Sequence, residues 1–129
     1  MTDPGEIRLV VVDDSEEVRL LARLALEGTD GIHVVAEAAD GAEGLEVVAE
    51  VHPDVVVLDV AMPVMDGLQT LTEIGRRHPE IPVVMFSGFS EGHLAPRALA
   101  LGAFAYVEKS GDIDVLTREI RRAATLGAA

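Results

Sequence analysis

The 129-residue chain contains no cysteine and no tryptophan, and aromatic residues make up only 3 % of it. Without cysteine, neither disulfides nor thiolate metal sites can form, which fits a reducing compartment. So few rings leave little for a flavin to stack on. No apolar stretch approaches the roughly 20 residues that span a bilayer. The N-terminus carries no basic, apolar, small-residue run of the secretory kind, so a cytoplasmic location is expected. Basic residues are also scarce. Ten Lys and Arg face 23 Asp and Glu, for a net charge of −13. Such a surface repels phosphate backbones, so direct nucleic-acid binding and membrane association are not expected of this chain, whose partners should present basic or apolar patches.

What is present is 49 % hydrophobic residues, arranged in five alternations of a short apolar run and a longer amphipathic segment. Strands are predicted near 7–12, 33–38, 55–59, 83–87 and 104–108 (β1 to β5). Helices are predicted near 15–27, 41–51, 67–77, 95–101 and 112–125 (α1 to α5). The strands are Val-, Ile- and Leu-rich without polar alternation, as when both faces are covered. Strand–helix alternation with short connections implies right-handed crossovers, hence an α/β fold: a doubly wound, five-stranded parallel sheet of order 2-1-3-4-5, flavodoxin-like, with five flanking helices. One domain is expected over 1–129, with its core at about 7–125.

Local punctuation agrees. Asp14, three residues before Glu17, is positioned for a capping box on α1, and the α1 stripe is predicted as Val18, Leu21, Ala22 and Ala25. His52-Pro53 and His78-Pro79 close α2 and α3, because a residue before proline disfavours the α conformation. Pro96 is tolerated only in the first turn of α4, which should therefore be short and preceded by a Gly-rich loop. The four histidines are not expected to cluster, and no pair has ligand spacing. His52 and His78 are explained by helix C-terminal dipoles.

The chemistry-bearing residues stand at strand ends. Asp13 and Asp14 follow β1, Asp59 follows Leu58, Ser87 follows Phe86, and Lys109 follows Glu108. In open α/β sheets, ligands bind beyond the carboxyl ends of strands where the strand order reverses, here between β1 and β3. Three carboxylates there repel and raise one another's pKa values unless a hard cation relieves them. Mg2+ suits one or two carboxylates, a carbonyl, waters and a phosphate oxygen, with Mn2+ as a substitute. An ionised aspartate can then attack phosphorus in line, with Lys109 and Ser87 supplying charge and a hydroxyl to the equatorial oxygens.

Over residues 7 to 125 the chain resembles a bacterial two-component response-regulator receiver domain. The matching pieces are Val12-Asp13-Asp14-Ser15, Leu58 to Gly67, Phe86-Ser87-Gly88 and Gly102 to Lys109. The resemblance implies that Asp59 is the phospho-acceptor and that Asp14 and Asp59 hold Mg2+ directly. It assigns Asp13 a place in the metal site through water, and the Ala61 carbonyl a place as a further ligand. Lys109 would pair with phosphoryl oxygens. Ser87 and Tyr106 would be the switch hydroxyl and switch aromatic. A histidine kinase or phosphotransfer protein would be the donor, and the α4–β5–α5 face the responding surface, open to homodimer formation. The implied activity is that of a self-phosphorylating switch with slow autodephosphorylation, not an enzyme acting on other molecules.

Two departures from the family pattern stand out. Ser110 replaces the proline that often follows the lysine in a cis peptide, so a trans Lys109–Ser110 bond is expected. Phe89 and Ala61, two residues beyond Ser87 and Asp59, are expected to hinder water and lengthen the phosphorylated lifetime. Alternatives are a receiver cut from a longer DNA-binding regulator, an aspartyl-nucleophile phosphatase, a flavin carrier and a receiver-like module that is never phosphorylated. The phosphatase would need Asp-x-Asp after β1, and the flavin carrier a Ser/Thr-Gly-rich loop there. Neither motif is present.

Overall fold

The computed structural model describes residues 5–27, 29, 31–88 and 94–127. The strands are β1 (Ile7–Val12), β2 (Ile32–Ala38), β3 (Val55–Leu58), β4 (Val83–Ser87) and β5 (Ala105–Glu108). The helices are α1 (Glu16–Glu27), α2 (Gly41–Val51), α3 (Gly67–Arg77), α4 (Leu94–Ala100) and α5 (Ile113–Leu126). The sheet is parallel, in the order β2-β1-β3-β4-β5. Element types and strand order are those read from the sequence.

Alternate strand residues serve two cores. Val10, Val12, Val56, Leu58, Val83 and Met85 point to the layer holding Leu45, Val48, Leu71, Ile74 and Ala98 of α2, α3 and α4. Leu9, Val11, Val55, Val57, Val84 and Phe86 meet Ala22 and Leu26 of α1 and Leu116, Ile120 and Ala123 of α5. Each fully buried aliphatic side chain contributes about 1.5–3 kcal/mol, so the Val runs that made the strands legible also hold the layers together.

Three details differ from expectation. β2 is an edge strand, and its burial alternates through half-exposed positions, because only one side has a ladder partner. On α1 the buried stripe is Ala22 and Leu26 with Val18 beside it, a spacing of four. Leu21 is 66 % exposed and Ala25 also faces outward. The α1 cap is Ser15, whose Oγ accepts from the Val18 amide at 3.2 Å while its own amide donates to Asp13 Oδ1 at 2.9 Å. Asp14 is not the cap. Pro96 lies in the first turn of α4, as predicted. No peptide bond among the described residues is cis, and Lys109–Ser110 is trans.

Candidate functional site

β1 and β3 lie side by side in register, Val12 opposite Leu58, so their next residues emerge together. The Asp59 amide donates to the Val12 carbonyl at 2.9 Å, and the Asp13 amide to the Ala38 carbonyl at 3.0 Å. These extensions of the ladder fix both aspartates at the floor of a notch. On the far side, the Lys109 amide donates to the Ser87 carbonyl at 2.8 Å, aligning the ends of β4 and β5. Arg19 of α1 reaches back to donate to the Asp13 carbonyl at 2.6 Å, closing the notch's outer wall.

Within the notch, one carboxylate oxygen from each of Asp13, Asp14 and Asp59 lies within 4.8 Å of the others. Asp13 and Asp59 are buried, at 2 % and 5 % exposure, whereas Asp14 stands at the open rim. Lys109 Nζ sits 2.6 Å from Asp13 Oδ2 and 3.3 Å from Asp59 Oδ1. It also lies 5.9 Å from the centroid of the Phe86 ring, whose face adds a weak cation–π attraction. Lys109 thus spans 96 residues of sequence to neutralise the carboxylate that follows β1.

Burial is the largest influence on Asp59. Together with the adjacent Asp13 charge, and less strongly Asp14, it pushes the carboxyl up from 3.8 to about 6, against the downward pull of Lys109. That is the signature of a carboxylate pair short of positive charge. A hard divalent cation with oxygen ligands fits this donor set: three clustered carboxylates, one open to solvent, with too few protein donors for a closed cage.

Ser87 is fully buried, and its register partner across the β4–β5 pair is Glu108. Tyr106 is half-buried, pairs with Met85, and packs against the α2–α3–α4 core. Its surroundings include Ala95, Val115 and Gly111, which line a cavity of about 340 Å³ between α4 and α5. Ala61 is exposed in the loop from β3 to α3. Phe89 lies outside the described residues.

Asp66 and Gly67, read from the sequence as part of the Leu58 to Gly67 match, have two further roles here. Gly67 opens α3 directly beneath the notch, and a Cβ there would lie 2.0 Å from the Asp59 carbonyl oxygen and 2.7 Å from Val60 Cα. Only glycine allows the helix to approach the strand that closely. Asp66 and Gln69 form a full capping box on α3, with amide-to-side-chain bonds of 2.9 and 3.2 Å in the two directions. The Asp66-x-x-Gln69 spacing was a usable signal for it.

Comparison with known proteins follows the same lines. The family model of the response regulator receiver domain matches residues 9–121. A protein-glutamate methylesterase/protein-glutamine glutaminase from Trichodesmium erythraeum is 39 % identical over 84 % of this chain and 31 % of its own length. The regulatory protein AtoC of Escherichia coli is 38 % identical over 92 % of this chain and 25 % of its own length. The chain therefore spans about a quarter to a third of these curated relatives. Among solved structures, the response regulator domain of Thermotoga maritima CheB superposes with a TM-score of 0.87 at 30 % identity, covering 93 % of this chain and 97 % of that one. The receiver domain of the NarL regulator from Mycobacterium tuberculosis gives 0.88 at 31 % identity, covering 95 % and 98 %.

Proposed function

The chain belongs to the response regulator receiver family, whose members accept a phosphoryl group in two-component signalling, and from that premise we propose that Asp59 is the acceptor here. The supporting observation is the placement of one ammonium between two buried carboxylates: Lys109 Nζ is 3.3 Å from Asp59 and 2.6 Å from Asp13. In the proposed reaction an ionised Asp59 oxygen attacks phosphorus in line. The bond from phosphorus to the donor histidine nitrogen (or acyl oxygen) breaks, and the leaving group departs with the electron pair. Lys109 swings its charge from the carboxylates onto the equatorial oxygens as they accumulate charge. Asp13, Asp14, Asp59 and the Ala61 carbonyl would hold Mg2+ or Mn2+, which supplies the charge neutralisation that lets a dianionic phosphate enter an acidic notch.

In this reading Ser87 turns toward the new phosphoryl oxygens and Tyr106 moves further into the space beside α4. This shifts the α4–β5–α5 face between two arrangements and supports a homodimer through it. A histidine kinase or phosphotransfer protein serves as donor in the cytoplasm. Residues 1–129 act as one receiver unit with its core at 7–125, and hydrolysis of its own phosphoaspartate is slow. Among the described residues no helix is long and apolar enough to cross a membrane. A second reading, a receiver belonging to a longer regulator with a DNA-binding or enzymatic output, is favoured by the fraction of the curated relatives that the chain spans. Nothing in the notch calls for the aspartyl-phosphatase alternative.

The test is incubation with Mg2+ and acetyl phosphate followed by intact mass. Wild type gains the mass of one phosphoryl group, and Asp59→Asn gains none. Absence of the adduct on wild type across several phospho-donors, or its persistence in Asp59→Asn, overturns the proposal.

A further inference from the structure

At the opposite edge of the sheet, His52, His78 and Glu80 come together although nothing in their spacing announced it, which corrects the expectation that the histidines stand apart. The cause is topological. α2 and α3 pack side by side on one face and run in the same direction, so their C-terminal caps, His52 and His78, arrive at the same place. The His52 and His78 rings meet edge to face with centroids 5.3 Å apart. A turn through Pro79, closed by the Ile81 amide donating to the His78 carbonyl at 3.0 Å, folds Glu80 back over them. Its Oε2 stands 3.9 Å from Nδ1 of His52 and 3.9 Å from Nδ1 of His78.

We propose that His52, His78 and Glu80 form a transition-metal site of the Zn2+ type, with its fourth position open to water. One ligand atom from each of the three lies within 4.8 Å of the other two. Around a tetrahedral ion with bonds of about 2.0–2.1 Å, ligand atoms stand roughly 3.3–3.4 Å apart, and two histidines with one carboxylate are an established three-ligand set. The required contraction is small. His78 is the fixed member, its side chain 16 % exposed, while His52 and Glu80 are 61 % and 59 % exposed and can turn at little cost.

The surroundings select the class of ion. Two helix C-termini point their negative ends at the site, which favours a cation. Against that, Arg8 places its guanidinium on the Val51 and His52 carbonyls, each at 2.8 Å, so the site is not strongly anionic. An ion held mainly by charge, such as Mg2+, gains little here, whereas imidazole nitrogens bind zinc and its neighbours well. The acidic notch shows the reverse preference. α2 and α3, each 11 residues, separate the two sites by roughly 16 Å of helix at 1.5 Å per residue. Zinc would clasp the ends of α2 and α3 without touching the phosphorylation chemistry.

The experiment is a Zn2+ titration of the full chain in millimolar Mg2+, which occupies the notch, followed through the histidine ring nitrogens by NMR and through stoichiometry by calorimetry. The expected result is one zinc per chain, with His52 and His78 shifting together and His33 unmoved. His52→Ala and Glu80→Gln, both exposed and so safe for folding, should each weaken binding at least roughly tenfold by removing one ligand, while His33→Ala leaves it unchanged. Zinc affinity that survives both ligand variants, equal shifts at His33, or loss of binding when Mg2+ is added would each overturn the site.

Discussion

The two edges of the sheet solve the problem of exposed strand and helix ends in opposite ways. At the carboxyl edge, charged groups are driven inward: Asp13 and Asp59 are buried, and a lysine from the far end of the chain is held between them. At the amino edge, polar groups are left in solvent and bonded to backbone. The Arg8 amide donates to Asp54 Oδ2, its guanidinium satisfies the last carbonyls of α2, and His52 and Glu80 stand mostly exposed. Burial strengthens every electrostatic interaction at the first edge and makes each unpaired charge there costly. Exposure makes the second edge tolerant and its contacts weak. The proposed chemistry thus lies where burial makes each charge matter most, and substitutions should report the asymmetry.

The largest effect is expected at Gly67. An alanine methyl would meet the Asp59 carbonyl at 2.0 Å, and its neighbour there is backbone, which cannot turn aside. Gly67→Ala should lose about 3 kcal/mol by overpacking, seen as an earlier urea midpoint. It should also lose the proposed phosphoryl acceptance, because relief requires moving the Asp59 peptide itself. Gly75, where nothing lies within 4 Å of an added Cβ, is the control, and its replacement by alanine should be neutral or stabilising. Equal costs at the two glycines would erase the contrast.

Next is Lys109→Met. Removing the ammonium leaves Asp13 and Asp59 facing each other without a counter-charge, at an expected cost of about 2–3 kcal/mol at pH 8. Lys109 is one of the influences that lower the Asp59 pKa, so its loss moves that carboxyl further above about 6. The gap between variant and wild type should therefore shrink as pH falls from 8 toward 5 and Asp59 protonates. A gap independent of pH would mean that the lysine acts through its packing on Phe86, not through charge.

Much of this edge was legible in the sequence, for a physical reason. Val runs covered on both faces mark strands without ambiguity, and residues just past them must lie at one rim of a parallel sheet. Hence Asp13, Asp59, Ser87 and Lys109 group together on the sequence alone. Asp14 misled because Asp14 and Ser15 are adjacent and both suit a helix cap. Ser15 takes the role, which leaves Asp14 at the rim. Leu21 misled because a stripe of spacing three and one of spacing four are equally apolar in α1. The His52–His78 meeting was hidden for a deeper reason: 26 residues separate them, and only the packing of α2 beside α3 joins them. Strand-end chemistry follows from fold class alone, whereas helix-end chemistry needs the helix neighbours.

Asp59→Asn isolates the burial cost of the proposed acceptor. Because the folded pKa of about 6 lies above the ordinary 3.8, the native state binds more protons than the unfolded chain between those values. Stability from this group is therefore present at low pH and is lost as pH rises through about 6. Asparagine removes the penalty, so Asp59→Asn should be more stable than wild type at pH 7.5. Discounted for screening by solvent in the notch, the gain is about 1–2 kcal/mol, and it should vanish near pH 4. Saturating Mg2+ should narrow the same gap by stabilising wild type. A variant less stable than wild type at pH 7.5 would show that the Asp59 charge is fully compensated by Lys109.

The smallest effect is expected at the amino edge, and it has the same sign for a different reason. His52 caps α2 with φ of +49°, in the left-handed region, where a side chain is disfavoured and glycine is the usual occupant. The bonds that fix this cap use backbone: its amide donates to the Val48 carbonyl at 3.0 Å, and its carbonyl accepts from Arg8. His52→Gly keeps both and relieves the strain, so metal-free protein should gain about 0.5–1 kcal/mol in urea unfolding. The same variant should lose zinc. A stability gain paired with loss of a ligand is the pattern of a residue retained for binding at a structural cost, the exposed counterpart of Asp59. If His52→Gly is instead destabilising, the ring's edge-to-face contact with His78 outweighs the backbone strain, and histidine at this cap is explained by packing alone.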